Sequence, residues 1–218
     1  MRKKKGVPGI KICGLTDPME AEQCARLGAD AIGLVFYGKS PRAVSMETAA
    51  AITRAVPKGV MTTGVFVDEG FEAIVEIATA CSLTAVQLHG GESPDLVKKL
   101  AGTGLLVIKA LFAKKEPLLD KAHRYTAASA LLVEYGKGVL PGGNAETWNW
   151  ELARTVTTDQ ILMLAGGLDP DNVKTAVSAA RPGFVDVSSG VESAPGKKDL
   201  ARVKAFIAAV HGPGEPLR

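Results

Sequence analysis

Eight short apolar runs recur along the chain, and that repetition constrains its fold more than any other feature. They are IKIC from Ile10, AIGLVF from Ala31, GVFV from Gly64, AVQL from Ala85, LLVIKAL from Leu105, ALLVEY from Ala130, ILML from Ile161 and FVDV from Phe184. Each is followed by a stretch of helical character: DPMEAEQCARLG, SMETAAAITRAV, EGFEAIVEIATACS, ESPDLVKKLAG, KKEPLLDKAHRY, TWNWELARTV, DPDNVKTAVSAA and KKDLARVKAFIAAV. Local signals support the alternation. Asp17 is placed to cap the first helix, Pro18 suits its first position and Gly28 its end, while Ser45 caps the second. Strands alternating with helices at this spacing predict βαβ units with a parallel sheet. Eight pairs predict an α/β fold closed into a single (β/α)8 TIM barrel; counting alone leaves an open doubly wound sheet as the alternative. No linker-like composition shift divides the chain. One catalytic domain is expected over residues 10–211, between a flexible basic tail at 1–9 and a frayed end at 212–218.

Charge narrows the partners. The formal net charge is +3, but Arg2, Lys3, Lys4 and Lys5 sit together at the start, and without them 22 basic side chains face 23 acidic ones. The basicity belongs to a tail, and with 5% aromatic residues the chain lacks the stacking platforms of single-strand binders, so no nucleic-acid partner is expected. No apolar run approaches bilayer-spanning length, and the basic start has no apolar core of a secretory signal behind it. The expectation is a cytoplasmic protein with no membrane partner, monomeric or homodimeric. Three cysteines at 13, 24 and 81, without paired spacing or nearby His clusters, point to reduced thiols rather than disulfides or a metal site.

In such a barrel, chemistry gathers where strands end and the following loops begin. The last two strand ends carry AGGLDPDNV and DVSSGV. Gly166 and Gly167, followed by Asp169 as an expected cap and Pro170 at the expected first helical position, offer backbone N–H groups to an anion. Ser188, Ser189 and Gly190 repeat that logic, so together the loops read as a phosphate cradle, and singly as ordinary turns. The loop YGKSPRAVS carries Lys39 and Arg42, where a guanidinium could clamp a carboxylate or simply be solvated.

Cys13 ends the first strand. It either packs, as Cys24 and Cys81 on helices should, or serves as a general base if a helix N-terminus or cation lowers its pKa toward neutrality. Glu134 ends the sixth strand behind four apolar residues; a carboxyl against apolar walls tends to stay protonated and can act as a general acid, and the alternative is a solvated loop position. A thiol base and a carboxyl acid sharing a pocket would move protons without a cofactor or metal. Gln87 and His89, two residues apart on one face, are candidates for substrate contact, as is Asp186, which alternation points either into the barrel or toward the helices. Asp68 could cap the third helix. Lys109 could form a Schiff base in an aldolase or lyase, or be structural.

KICGLT, GLVFYGKSPR, GVFVDE, VQLHGGE, AGGLDPDNV and DVSSGVES with PGKKD form an ordered set that resembles the N-(5′-phosphoribosyl)anthranilate isomerase family of tryptophan biosynthesis, over about Ile10 to Val210. The resemblance implies a single barrel that converts a phosphorylated, carboxylated sugar amine by an Amadori rearrangement without a cofactor. It implies Cys13 as general base, Arg42 as the contact to the anthranilate carboxylate, and the Gly166/Gly167 and Ser188/Ser189/Gly190 loops as phosphate contacts. The family usually carries an aspartate as general acid in a run like LLLD. Here the run is LLVEY, so Glu134, longer by one methylene or about 1.5 Å, takes that place. A Schiff-base barrel built on Lys109 and a catalytically silent phosphate-binding barrel are the competing readings.

Overall fold

The computed structural model describes residues 6–136 and 147–212. Most of the basic tail, the segment 137–146 and the last residues of the expected frayed end lie outside the described residues. Gly9, assigned above to the tail, already belongs to the first strand, and its N–H donates to the Gly183 carbonyl at 3.0 Å.

Eight parallel strands close into a barrel in sequence order: β1 (Gly9–Cys13), β2 (Ala31–Val35), β3 (Met61–Phe66), β4 (Ala85–Leu88), β5 (Leu106–Phe112), β6 (Ala130–Glu134), β7 (Ile161–Leu164) and β8 (Phe184–Val187). The open-sheet alternative is excluded by the pairing of β8 with β1, which sets Lys11 opposite Asp186. Helices α1 (Pro18–Leu27), α2 (Met46–Ala55), α3 (Phe71–Ala80), α4 (Pro94–Ala101), α5 (Val173–Ala180) and α6 (Leu200–His211) surround it. Among the described residues no helix is long and apolar enough to cross a membrane.

Alternation along each strand divides the side chains between two apolar regions. Ile10 and Ile12 of β1, Val86 and Leu88 of β4, Leu131 and Val133 of β6, and Val185 and Val187 of β8 pack outward against the helices. Ala31, Met61, Ala85, Ile108, Phe112, Leu132, Met163 and Phe184 fill the barrel itself. The same parity sends Cys13, Gln87, Glu134 and Asp186 inward near the strand ends, which decides for Asp186 what the sequence left open.

Two expected helices are short 3₁₀ segments instead. In KKEPLLDKAHRY, Pro117 lacks an N–H and disfavours helical backbone before it, so only Leu119–Arg124 coils. In TWNWELARTV only Trp150–Thr155 does so, because the indole of Trp148 is buried and donates to the Ala165 carbonyl at 3.0 Å, pinning the segment ahead of it. The seventh helix starts later than expected. Asp169 does not cap it: its Oδ1 accepts the N–H groups of Asp171 and Asn172 in a tight turn, and the helix begins at Val173 with Asn172 at its cap position. Nor does Asp68 cap α3. Its carboxylate accepts the Gly91 N–H at 2.7 Å, and Gly70 occupies the cap position.

Lys109 is fully buried and lies between Val107 and Leu111, which face the helices rather than the lumen. Its ammonium donates to Glu92 Oε2 at 2.9 Å and to the carbonyls of Gly90 and Ala110, and it stands over the Tyr125 ring. This ion pair ties β5 to the loop after β4. Removing one partner leaves the other charge buried and alone, so Lys109→Met is expected to lower the unfolding free energy by about 3–5 kcal/mol in urea titrations. Lumen chemistry should survive in the fraction that folds.

Candidate active site

At the end of the barrel where the strands terminate, one pocket is lined by Cys13, Arg42, Gln87, His89, Glu134 and Asp186 together with Gly166, Gly167, Ser188 and Ser189. Ten of the eleven site residues expected from sequence thus converge. Gly190 is the exception: it is not in the pocket wall but packs beneath it, where a Cβ would lie 1.9 Å from the Leu168 carbonyl oxygen. Its lack of a side chain permits the close contact between the two glycine-bearing loops.

Gly166 and Gly167 have φ of +89° and +66°, the left-handed region where glycine is unstrained. The Asn172 amide holds this loop by donating to the Gly167 carbonyl at 2.8 Å. The loop also explains how the longer acid fits: a Cβ at Gly166 would sit 3.0 Å from Glu134 Cγ, so the extra methylene of Glu134 occupies space the glycine leaves open.

Glu134 is buried, and its Oε2 is 3.1 Å from His89 Nε2, a close electrostatic contact without the alignment of a hydrogen bond. Gln87 Nε2 lies 2.9 Å from His89 Nδ1. With the amide donating, Nδ1 accepts and the neutral ring carries its proton on Nε2, facing Glu134. Gln87 Oε1 and His89 Nε2 are buried without a hydrogen-bond partner among the described residues. Such unspent capacity inside a pocket is what a polar ligand would use.

Across the pocket, Cys13 stands on the same face of β1 as Lys11. Burial raises the Cys13 thiol above its ordinary pKa, and the neighbouring Lys11 ammonium offsets only part of that. Cys13 sits in the barrel wall, where desolvation opposes the thiolate and the Lys11 ammonium favours it. Asp186 is likewise pushed up by burial, against the pull of Lys11.

Arg42 is not a free clamp. Its Nε and Nη2 donate to the two carboxylate oxygens of Glu192 at 2.8 and 2.7 Å, and Lys198 Nζ donates to Glu192 Oε1 at 2.7 Å. Burial opposes the Glu192 charge, but Arg42 and Lys198 outweigh it and hold the carboxyl below its ordinary pKa. A guanidinium has five N–H donors, so the fork that fixes Arg42 leaves others for an incoming anion. Glu192 and Lys198 lie on a small antiparallel hairpin, β9 (Glu192–Ala194) with β10 (Lys197–Lys198), which the sequence reading missed. The Pro-Gly pair at 195 and 196 was the available turn signal. Among the described residues no cluster of His, Cys, Asp or Glu is arranged to hold a metal ion.

The sequence profile of the family described as N-(5′phosphoribosyl)anthranilate (PRA) isomerase matches residues 10–209. The chain belongs to this family. It is 50% identical over 198 residues to the N-(5′-phosphoribosyl)anthranilate isomerase of Desulfatibacillum aliphaticivorans, covering 91% of this chain and 90% of that one. The crystal structure of phosphoribosyl anthranilate isomerase from Thermotoga maritima superposes with a TM-score of 0.85 at 40% identity, over 94% of this chain and 98% of the other. A further solved phosphoribosyl anthranilate isomerase, in complex with reduced 1-(o-carboxyphenylamino)-1-deoxyribulose 5-phosphate, has a TM-score of 0.82 at 39% identity and the same coverage of each chain.

Because a Cβ at residue 190 would meet backbone rather than a flexible side chain, Gly190→Ala must displace the Leu168–Asp169 segment. Thermal unfolding should show a loss of about 1–3 kcal/mol, as overpacked sites do.

Proposed function

We propose that this chain performs the reaction of its family, converting N-(5′-phosphoribosyl)anthranilate to 1-(2-carboxyphenylamino)-1-deoxyribulose 5-phosphate in tryptophan biosynthesis, with Cys13 as general base and Glu134 as general acid. The observation that carries the reading is the convergence of a thiol and a carboxyl from β1 and β6 in one pocket, rimmed by a glycine loop, two serines and an arginine.

Protonated Glu134 gives its proton to the ribose ring oxygen, and the C1′–oxygen bond breaks as the anilino nitrogen forms a Schiff base. Cys13, as thiolate, then takes the C2′ proton, and the electron pair moves into the C1′–C2′ bond as the iminium nitrogen becomes neutral. The resulting enolamine loses its enol proton and gains one at C1′, giving the ketone. Gly166, Gly167, Ser188 and Ser189 hold the phosphate, while the donors of Arg42 not spent on Glu192 meet the anthranilate carboxylate. Anchoring both ends keeps the reacting carbons in reach of the two groups. Gln87, His89 and Asp186 contact the sugar hydroxyls between them.

The aldolase reading loses its support, since Lys109 lies on the helix side of β5 with its ammonium already engaged. Borohydride added with a phosphosugar should leave the protein unlabelled.

Loss of anthranilate fluorescence on supplying phosphoribosylanthranilate tests the activity, and complementation of a tryptophan auxotroph tests the pathway. Cys13→Ala and Glu134→Gln should each lower kcat roughly 10²- to 10⁴-fold with little change in KM. Turnover near that of the unaltered enzyme in either variant removes that residue from the mechanism.

A further inference from the structure

A fully buried charge inside the barrel belongs to a residue that the proposed mechanism does not use. Lys11 is fully buried, two positions before Cys13 on the inward face of β1, in a sequence run whose alternation would suit another apolar side chain there. Its Nζ donates to Asp186 Oδ1 at 2.9 Å, a contact set by the β1–β8 register that pairs residues 11 and 186. The Cys13 side chain lies near the same ammonium, since one Cβ built on Gly33 would crowd both. The space is shaped for this contact. Gly33 on β2 pairs with Cys13, and a Cβ there would lie 2.7 Å from Cys13 Sγ and 3.0 Å from Lys11 Nζ, so any side chain at 33 would push sulfur and ammonium aside. Cys13 and Asp186 both line the pocket, whereas Lys11 stands behind them.

We propose that Lys11 and Asp186 are the positioning pair for Cys13, the ammonium acting as counter-ion of the thiolate while the carboxylate anchors that ammonium and limits how far it acidifies the thiol. This rests on Cys13 being the base. With Lys11 charged and Asp186 ionised, the pair is neutral and the resting thiol adds no charge. When the thiolate forms, the ammonium is already beside it, so little reorganisation is needed. Asp186 works in the opposite sense, keeping the sulfur basic enough to take a proton from carbon. The two charges therefore push the Cys13 titration in opposite directions, and no packing role for the pair would do that.

Other charged groups facing Cys13 are Lys198 from β10 and Arg42 from the loop after β2, both engaged by Glu192. The titratable groups facing Asp186 are His89 at the end of β4 and Glu134 of β6. These remain in place in the variants below, so the comparison isolates the pair.

The test is iodoacetamide labelling of Cys13 in the intact protein, read peptide by peptide by mass spectrometry, with the buried Cys24 and Cys81 as internal controls. Lys11→Met should move the labelling curve to higher pH and slow labelling about tenfold at a fixed pH below the transition, whereas Asp186→Asn should move it to lower pH and speed labelling about tenfold, one unit of pKa in each case. Shifts in the same direction, or none in either variant, would overturn the proposal. Should Lys11→Met fail to fold, Lys11→Gln, which still donates to Asp186, must give the upward shift; the downward shift in Asp186→Asn is required in any case. Labelling needs no turnover. A Cys13 that titrates as described in an enzyme unable to isomerise its substrate would overturn the catalytic reading and leave this pairing intact.

Discussion

Closure between the first and last strands is the constraint on which the remainder depends. The β1–β8 pairing joins residues 175 positions apart and places the Lys11 ammonium on the Asp186 carboxylate inside the barrel. Each charge alone would cost several kcal/mol to remove from water. Together, with the Cys13 thiol beside them, they can be buried, and the two ends of the chain become one wall of the pocket. A barrel that failed to close would lose both the wall and the compensation for its buried charges.

Strand parity carries that constraint around the ring. Because alternate residues face opposite sides, the register that turns Ile10 and Ile12 toward the helices also turns Lys11 and Cys13 inward, and the corresponding step on β4, β6 and β8 delivers Gln87, Glu134 and Asp186. Two further buried ionic groups serve the loops rather than the lumen. Lys109 with Glu92 holds the turn after β4, and Glu192 gathers Arg42 and Lys198, tying the hairpin β9–β10 to the loop after β2. In each group the carboxylate is shared with further donors, so among the described residues these buried cations all have an acceptor.

Where sequence reading departed from the structure, a tertiary contact had overridden a local signal. Asp169 and Pro170 have the composition of a helix start, yet the turn closed by Asn172 onto Gly167 takes the Asp169 carboxylate for itself. Cys13 has a lysine two residues away, which on charge alone would acidify it, but its burial in the barrel wall outweighs that attraction. Glu192 and Lys198 were invisible as a cluster because neither stands at a barrel strand end.

By itself the sequence determined the number and order of the strands, which side chains lie at their ends, and the family, because periodicity, turn chemistry and ordered motifs are all local properties of the chain. It could not determine which inward side chains meet one another. Whether Lys109 faces lumen or helices, whether Arg42 is free or held by Glu192, and that Lys11 stands between sulfur and carboxylate all depend on register across closed strands, on parity and on desolvation. These exist only once residues far apart in the chain share the same interior.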